Sequence, residues 1–410
     1  MNKYLNKNEK FSAELKLLIY SLHIVNDRQR TKLEKLLKNS DINWNCFLKL
    51  VTDRHRLTGP VYKNLIQYGK ASIPESVLSQ LKKQYRQNAY QMLSKTAELV
   101  KLTSLFKKNG IRALPYKGPV LGMLLYGDLS MRRSTDLDIV IPVKYVSHAE
   151  KILIESGYTR IAPRYELTPK QQKSVIRKGV HSSFLHPINK INVELHWKFF
   201  PDHICSVDFD DIWQNRQMIK IGENFLPSCS LEDYLILLLI HGGKHSWRRL
   251  FWLNDIVLIL NRFTAWDWET FMNRVRQLGI NRPAVSALLL LEHLFDLELP
   301  HRVHELAGND KKTFFLVQIS LARIMESDEA NKRVDFPFFD VKEKLSSFFF
   351  LPHLRYKLSV VLTNFFPNDF EYLALPDRFF FLYYPLRPTF WFFRKFTKIK
   401  PVLVSKDVND

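Results

Sequence analysis

Residues 136–141 read Asp-Leu-Asp-Ile-Val-Ile. Two carboxylates stand at the head of a β-branched apolar run, the pattern of a buried strand. Side chains alternate faces along a strand, so Asp136 and Asp138 point one way while Leu137 and Ile139 point the other. Two like charges side by side resist ionisation. A fold that keeps this pair must bring positive charge to the start of the strand. Arg132 and Arg133, just upstream, can do so as salt-bridge partners. A divalent cation can do so by coordination, because Mg²⁺ takes carboxylate oxygens.

A second apolar alternation carries a third carboxylate. In Ile-Asn-Val-Glu-Leu-His-Trp, residues 191–197, Asn192, Glu194 and His196 share one face. Asp136, Asp138 and Glu194 are therefore the candidate metal ligands, and sites built for two ions commonly use carboxylates that bridge both. His196 is expected on the same face as Glu194, either reaching a phosphate or a metal-bound water or hydrogen-bonded at the strand end. His181 is placed across a hairpin from it.

The surrounding pattern predicts an α+β chain in which a small mixed sheet is flanked by helical regions. Residues 1–109 keep helical spacing, as at Leu15, Leu17, Leu18, Leu22 and Val25, with no strand signal. Residues 110–215 change texture: a short extended piece at Ile111–Tyr116, a helix at Gly118–Tyr126 and a strand at Leu137–Val143. A helix at Val146–Glu155 closed by Gly157 follows, then strands at Val180–His186 and Lys190–Trp197 joined by Pro187-Ile188-Asn189. Residues 216–330 read as helical again, opening on a capping box at Ser230 and Asp233. Residues 331–410 interleave aromatic and basic residues with prolines and form a last segment, which packs on the body or on a membrane surface.

Composition narrows the class. The chain has 410 residues, 46% of them hydrophobic, so it can bury sizeable cores. Its formal net charge of +20 favours polyanionic partners such as nucleotides, nucleic acid or an anionic membrane face. The three cysteines are far apart and form neither a zinc pattern nor a disulfide framework. The opening MNKYLNKNEKFSAELK lacks a signal-type apolar run, and no apolar run is long enough to span a bilayer, so a cytoplasmic protein is expected. No GxxxxGK[ST] loop and no GxGxxG after a strand is present, which argues against P-loop and dinucleotide folds.

At these residues the chain resembles the nucleotidyltransferase superfamily of DNA polymerase beta, with a glycine motif at a helix start, a Dh[DE]h strand and a later third carboxylate. More closely, it resembles the uncharacterised bacterial nucleotidyltransferase family found near polysaccharide and peptide-modification genes. The shared segments include WNCFLKLVTDRHRLTGPVYKNL (44–65), LPYKGPVLGMLLYGDLSMRRSTDLDIVIP (114–142), VELHW (193–197), LEDYLILLLIHGGKHSWRRLFWLNDI (231–256) and LYYPLRP (382–388). The resemblance implies an Mg²⁺-dependent transferase with two ions and a nucleoside triphosphate, ATP among them, as donor. It makes Asp136 and Asp138 the metal-binding pair and Glu194 the third carboxylate. Lys117 and Gly118 fall at the glycine motif, where Pro119 departs from the usual small residue. Lys117, Gly118, Arg132, Arg133 and His196 are then the nucleotide-binding candidates, since Lys and Arg are the usual partners of phosphate.

The acceptor stays open between a small molecule, a glycan and a protein. Two other readings are kept: a toxin-type transferase acting on tRNA, to which the charge and the Lys107-Lys108 pair would contribute, and a non-catalytic nucleotide-binding scaffold. His241 and His245 have the spacing of a metal pair on a helix, but Gly242-Gly243 is expected to interrupt that helix, which favours a structural or substrate-contacting role. Residues 378–400, with Arg394, Lys395, Lys398 and Lys400, read as a packed segment or as a peripheral contact with an anionic inner membrane face.

Overall fold

The computed structural model describes residues 11–22, 27–163, 167–263, 267–326, 344–363 and 375–396. It is a mixed α+β chain falling into two compact units, each assembled from separate stretches of sequence.

One unit comprises residues 98–117, 135–229 and 353–410. Its sheet contains β1 (Leu114–Pro115), β2 (Asp136–Val140), β3 (Thr159–Ala162), β4 (His181–Leu185) and β5 (Asn192–His196), in the order β1-β2-β5-β4-β3. Only β2 and β5 run parallel; the other neighbours are antiparallel. The β4–β5 hairpin is the one expected around Pro187-Ile188-Asn189, with Lys190 turning at φ 55°. Leu137, Ile139, Phe184, Val193 and Leu195 are all buried, as the alternation requires. The helix Val146–Glu155 lies where its periodicity puts it and ends before Gly157, whose φ of 89° suits a residue without Cβ.

Several elements of this unit went unread in the sequence, among them β3, the helices Pro169–Lys178 and Phe209–Gln214, and a hairpin of β6 (Gln217–Ile221) and β7 (Asn224–Ser228). The hairpin corrects the expectation of helix from residue 216 onward. Its signal is a tight turn at Gly222-Glu223, with Gly222 at φ 60°, inside the run MIKIGENFL. Later in the chain, Tyr383 is fully buried, and its hydroxyl accepts from the Gln171 side chain at 3.2 Å and the Leu375 N–H at 2.7 Å. The helix Tyr383–Phe396 continues from it. Lys398 and Lys400 lie outside the described residues, and the side chains of Arg394 and Lys395 are not described. Among the described residues no helix is long and apolar enough to cross a membrane.

The other unit, residues 1–97, 118–134 and 230–352, is helical throughout its described part. The helices Leu231–Lys244 and Asn281–Phe295 are deeply buried in it, with Leu235, Leu237, Leu239, Ile240, Leu288 and Leu290 wholly enclosed. At the start of the first, the Ser230 hydroxyl accepts from Asp233 N–H at 3.1 Å. The Asp233 carboxylate does not return a bond to the backbone; it accepts from the Ser230 hydroxyl and pairs with Arg274.

That helix does not break at Gly242-Gly243. It runs to Lys244, because the glycines serve close packing rather than a turn. A Cβ on Gly242 would sit 2.1 Å from the buried Trp247 ring, and one on Gly243 would sit 2.8 Å from Phe350. Gly242→Ala is therefore expected to destabilise by about 1 kcal/mol. The overpacking cost of roughly 1–3 kcal/mol outweighs the helix-propensity gain of about 1 kcal/mol. Urea denaturation checks this, and a stabilised variant would refute the packing account.

His55 adds a pH dependence to this unit. It is fully enclosed, and its Nδ1 accepts the Leu250 N–H at 3.1 Å. Burial, followed by the charges of Arg54 and Arg249, pushes its pKa down to about 3. The unfolded imidazole protonates near pH 6.5. Because the folded pKa is the lower one, the stability held above pH 6.5 is lost as pH falls toward 3, at about 1.4 kcal/mol per pH unit. Urea midpoints measured from pH 7 to 5 should show this slope. His55→Asn keeps an acceptor for the Leu250 N–H and should flatten it; an equal slope in the variant would assign the effect elsewhere.

Candidate active site

The site is built on one face of three adjacent strands. In the parallel pair β2–β5, Asp136 stands opposite Asn192 and Asp138 opposite Glu194. In the antiparallel pair β4–β5, His181 stands opposite His196 and Ser183 opposite Glu194. Neighbours at one register position share a face, so two alternating patterns bring Asp136, Asp138, Glu194, His181 and His196 together. The Tyr116 N–H donates to the Asp138 carbonyl at 3.0 Å and carries the β1–β2 pairing one step further.

The side chains are in contact. His196 Nε2 is 3.0 Å from Asp138 Oδ1 and 3.2 Å from Glu194 Oε2. His181 Nε2 is 3.8 Å from the same Glu194 oxygen, and the two imidazole centroids are 4.7 Å apart. Tyr116 sets its ring edge-on to His196, with centroids 6.4 Å apart. The Lys117 ammonium rests 4.4 Å from the Tyr116 ring centroid. Tyr116 was not foreseen, and nothing in its local sequence separates it from an ordinary buried tyrosine.

The electrostatics are those of crowded negative charge. Burial raises the Asp136 pKa above the usual carboxylate range, and the charges of Asp138 and Glu194 raise it further, against a smaller opposing effect of Lys117. Burial also works against ionisation of Glu194, but the His196 hydrogen bond and the nearby imidazoles hold its pKa below the ordinary value. For His196, burial disfavours the charged ring; the hydrogen bonds to Asp138 and Glu194 outweigh this and raise its pKa. Three carboxylates that resist sharing one face, one with its pKa driven up by the other two, are a donor set that a cation fits.

The remaining candidates lie in the helical unit. Gly118 has φ 57°, a conformation that suits glycine, and it opens the helix Gly118–Tyr126 ahead of Pro119. Arg132 is buried, and its Nε donates to the equally buried Asp255 at 3.0 Å. Arg133 Nη1 donates to the Thr52 carbonyl at 3.2 Å. His241 and His245 sit 4.9 Å apart, both against Trp252, with His245 stacked on its ring at 5.5 Å. Of the residues singled out in the sequence, Asp136, Asp138, Glu194, His196 and Lys117 thus share the sheet unit, while Gly118, Arg132 and Arg133 belong to the other.

A search of curated proteins found no match. A family model described as an uncharacterised nucleotidyltransferase matches residues 40–296, a span that holds both strands of the carboxylate site and more than half of the chain. This protein belongs to that family and is a nucleotidyltransferase.

Proposed function

We propose that this enzyme transfers a nucleotidyl group from a nucleoside triphosphate to a hydroxyl of a small-molecule, glycan or protein acceptor and releases pyrophosphate. The register of β2 and β5 carries the reading: Asp138 lies opposite Glu194, and Asp136 lies two residues earlier on the same face. In this reading Asp136, Asp138 and Glu194 hold the divalent metal, Mg²⁺ at the oxygen-lined positions. Bound there, the metal neutralises phosphate charge and acidifies the acceptor hydroxyl.

The protein's own groups do the rest. Until metal binds, His196 Nε2 holds the Asp138 and Glu194 carboxylates together by bonding to both. Lys117 presents an ammonium to the triphosphate. The acceptor oxygen forms a bond to the α-phosphorus as the bridge to the β-phosphate breaks, and the pair of electrons leaves with pyrophosphate. Glu194 takes the acceptor proton. Its side chain is 24% exposed against 8% for Asp138, so it has the better access to an incoming hydroxyl.

The test is incubation with each α-³²P-labelled triphosphate in the presence of a cell extract, followed by separation of small molecules, glycan, protein and RNA. Label on a non-nucleic-acid acceptor with matching pyrophosphate release supports the reading. Label confined to tRNA would replace it with the RNA-modifying one, which the +20 charge favours. Neither label nor pyrophosphate in any fraction would contradict both.

A further inference from the structure

We propose that His181, Glu194 and His196, with Asp138 as fourth donor, form a site for a divalent first-row transition ion. The inference deepens the reading above by giving one metal position nitrogen ligands; it rests on that reading only through the shared Asp138 and Glu194.

The donors are already gathered. The ligating atoms of His181, Glu194 and His196 all lie within 4.8 Å of one another. The adjoining distances are 3.0 Å from His196 to Asp138, 3.2 Å from His196 to Glu194 and 3.8 Å from His181 to Glu194. Atoms each about 2.0–2.2 Å from a common zinc-type ion stand about 3 to 4 Å apart. Three adjacent strands supply them, with His181 facing His196 and Asp138 facing Glu194 in the backbone register. The set therefore reaches coordination spacing without a change of strand pairing.

The donor chemistry selects the ion. Mg²⁺ takes oxygen ligands and keeps its waters, whereas imidazole suits zinc and its neighbours in the first transition row. Two imidazoles and two carboxylates make a mixed nitrogen–oxygen set that an all-carboxylate magnesium site does not need. A ligating histidine usually donates its second ring N–H to a partner that fixes it. Among the described residues the buried Nδ1 of His196 has no such hydrogen bond, so an affinity below that of a fully supported site is expected.

The experiment uses the full chain stripped of metal and titrated with Co²⁺ alone, read by the visible absorption of nitrogen-ligated cobalt. One Co²⁺ per chain is expected, displaced by an equal amount of Zn²⁺ but not by a roughly thousandfold excess of Mg²⁺. His181→Ala, whose side chain is partly exposed, should weaken Co²⁺ binding at least about tenfold and change the spectrum. His196→Ala should do the same if it folds. Displacement by Mg²⁺ at comparable concentration, or unchanged binding and spectrum in His181→Ala, would overturn the proposal. Asp136→Asn separates the two readings, since it should keep the cobalt spectrum while losing transfer. A variant that lost neither would sink the function reading and leave the transition-metal site standing.

Discussion

Asp136→Asn is expected to lower nucleotidyl transfer by at least about a thousandfold, since removing a metal ligand should exceed the roughly 10–100-fold cost of disturbing an outer partner. Folding should not suffer. The Asp136 carboxylate is disfavoured by burial and by Asp138 and Glu194, while the Thr135 hydroxyl donates to it at 3.2 Å. An amide of the same shape removes the repulsion. In metal-free buffer at neutral pH the variant should melt at the wild-type temperature or above it. The sign follows from the raised pKa: the folded state holds that proton more tightly than the unfolded chain, so ionisation costs stability as pH rises through the folded value. A large loss of stability without metal would make the pair structural instead. Transfer rates and metal-free melting curves on one preparation decide between the two.

Arg132→Met is expected to cost about 3–5 kcal/mol of stability, because it leaves a buried charge without its partner. Asp255 is fully enclosed, and Arg132 lies beside it with its guanidinium 5.5 Å from the Phe251 ring centroid. Burial acts against the guanidinium charge, yet Asp255 raises the Arg132 pKa above its usual value. The double variant Arg132→Met/Asp255→Leu should recover much of the loss, since a well-packed apolar pair can replace a buried ion pair at little cost. Urea denaturation of both singles and the double measures the coupling. If Arg132 instead serves chiefly as a phosphate ligand, the single variant will keep its stability and lose triphosphate affinity.

The parts of the site that were legible in the sequence are those encoded by period-2 alternation. Asp136 and Asp138 at the head of an apolar strand, and Glu194 with His196 inside another, assigned faces that the β2–β5 register brings together. The β4–β5 hairpin likewise put His181 opposite His196. Long-range pairing was not legible. The partner of Arg132 is 123 positions away, so no local pattern connects them. Gly242-Gly243 looked like a helix break because a glycine pair lacks propensity; the reason for it is a tryptophan ring that only the fold supplies. The β6–β7 hairpin was hidden by a short turn in a stretch that otherwise blends into the helix Leu231–Lys244.

If the carboxylate face binds a nucleoside triphosphate through a metal, a thermal-shift titration of wild type and Asp136→Asn/Asp138→Asn with each of the four triphosphates, with and without Mg²⁺, will show it. A ligand that binds only the folded state stabilises it by about 2.7 kcal/mol at a hundredfold excess over Kd. A melting rise that needs both Mg²⁺ and one triphosphate, and that disappears in the double variant, is the predicted result. A rise of the same size in the double variant would contradict the account, because the nucleotide would then bind without these carboxylates.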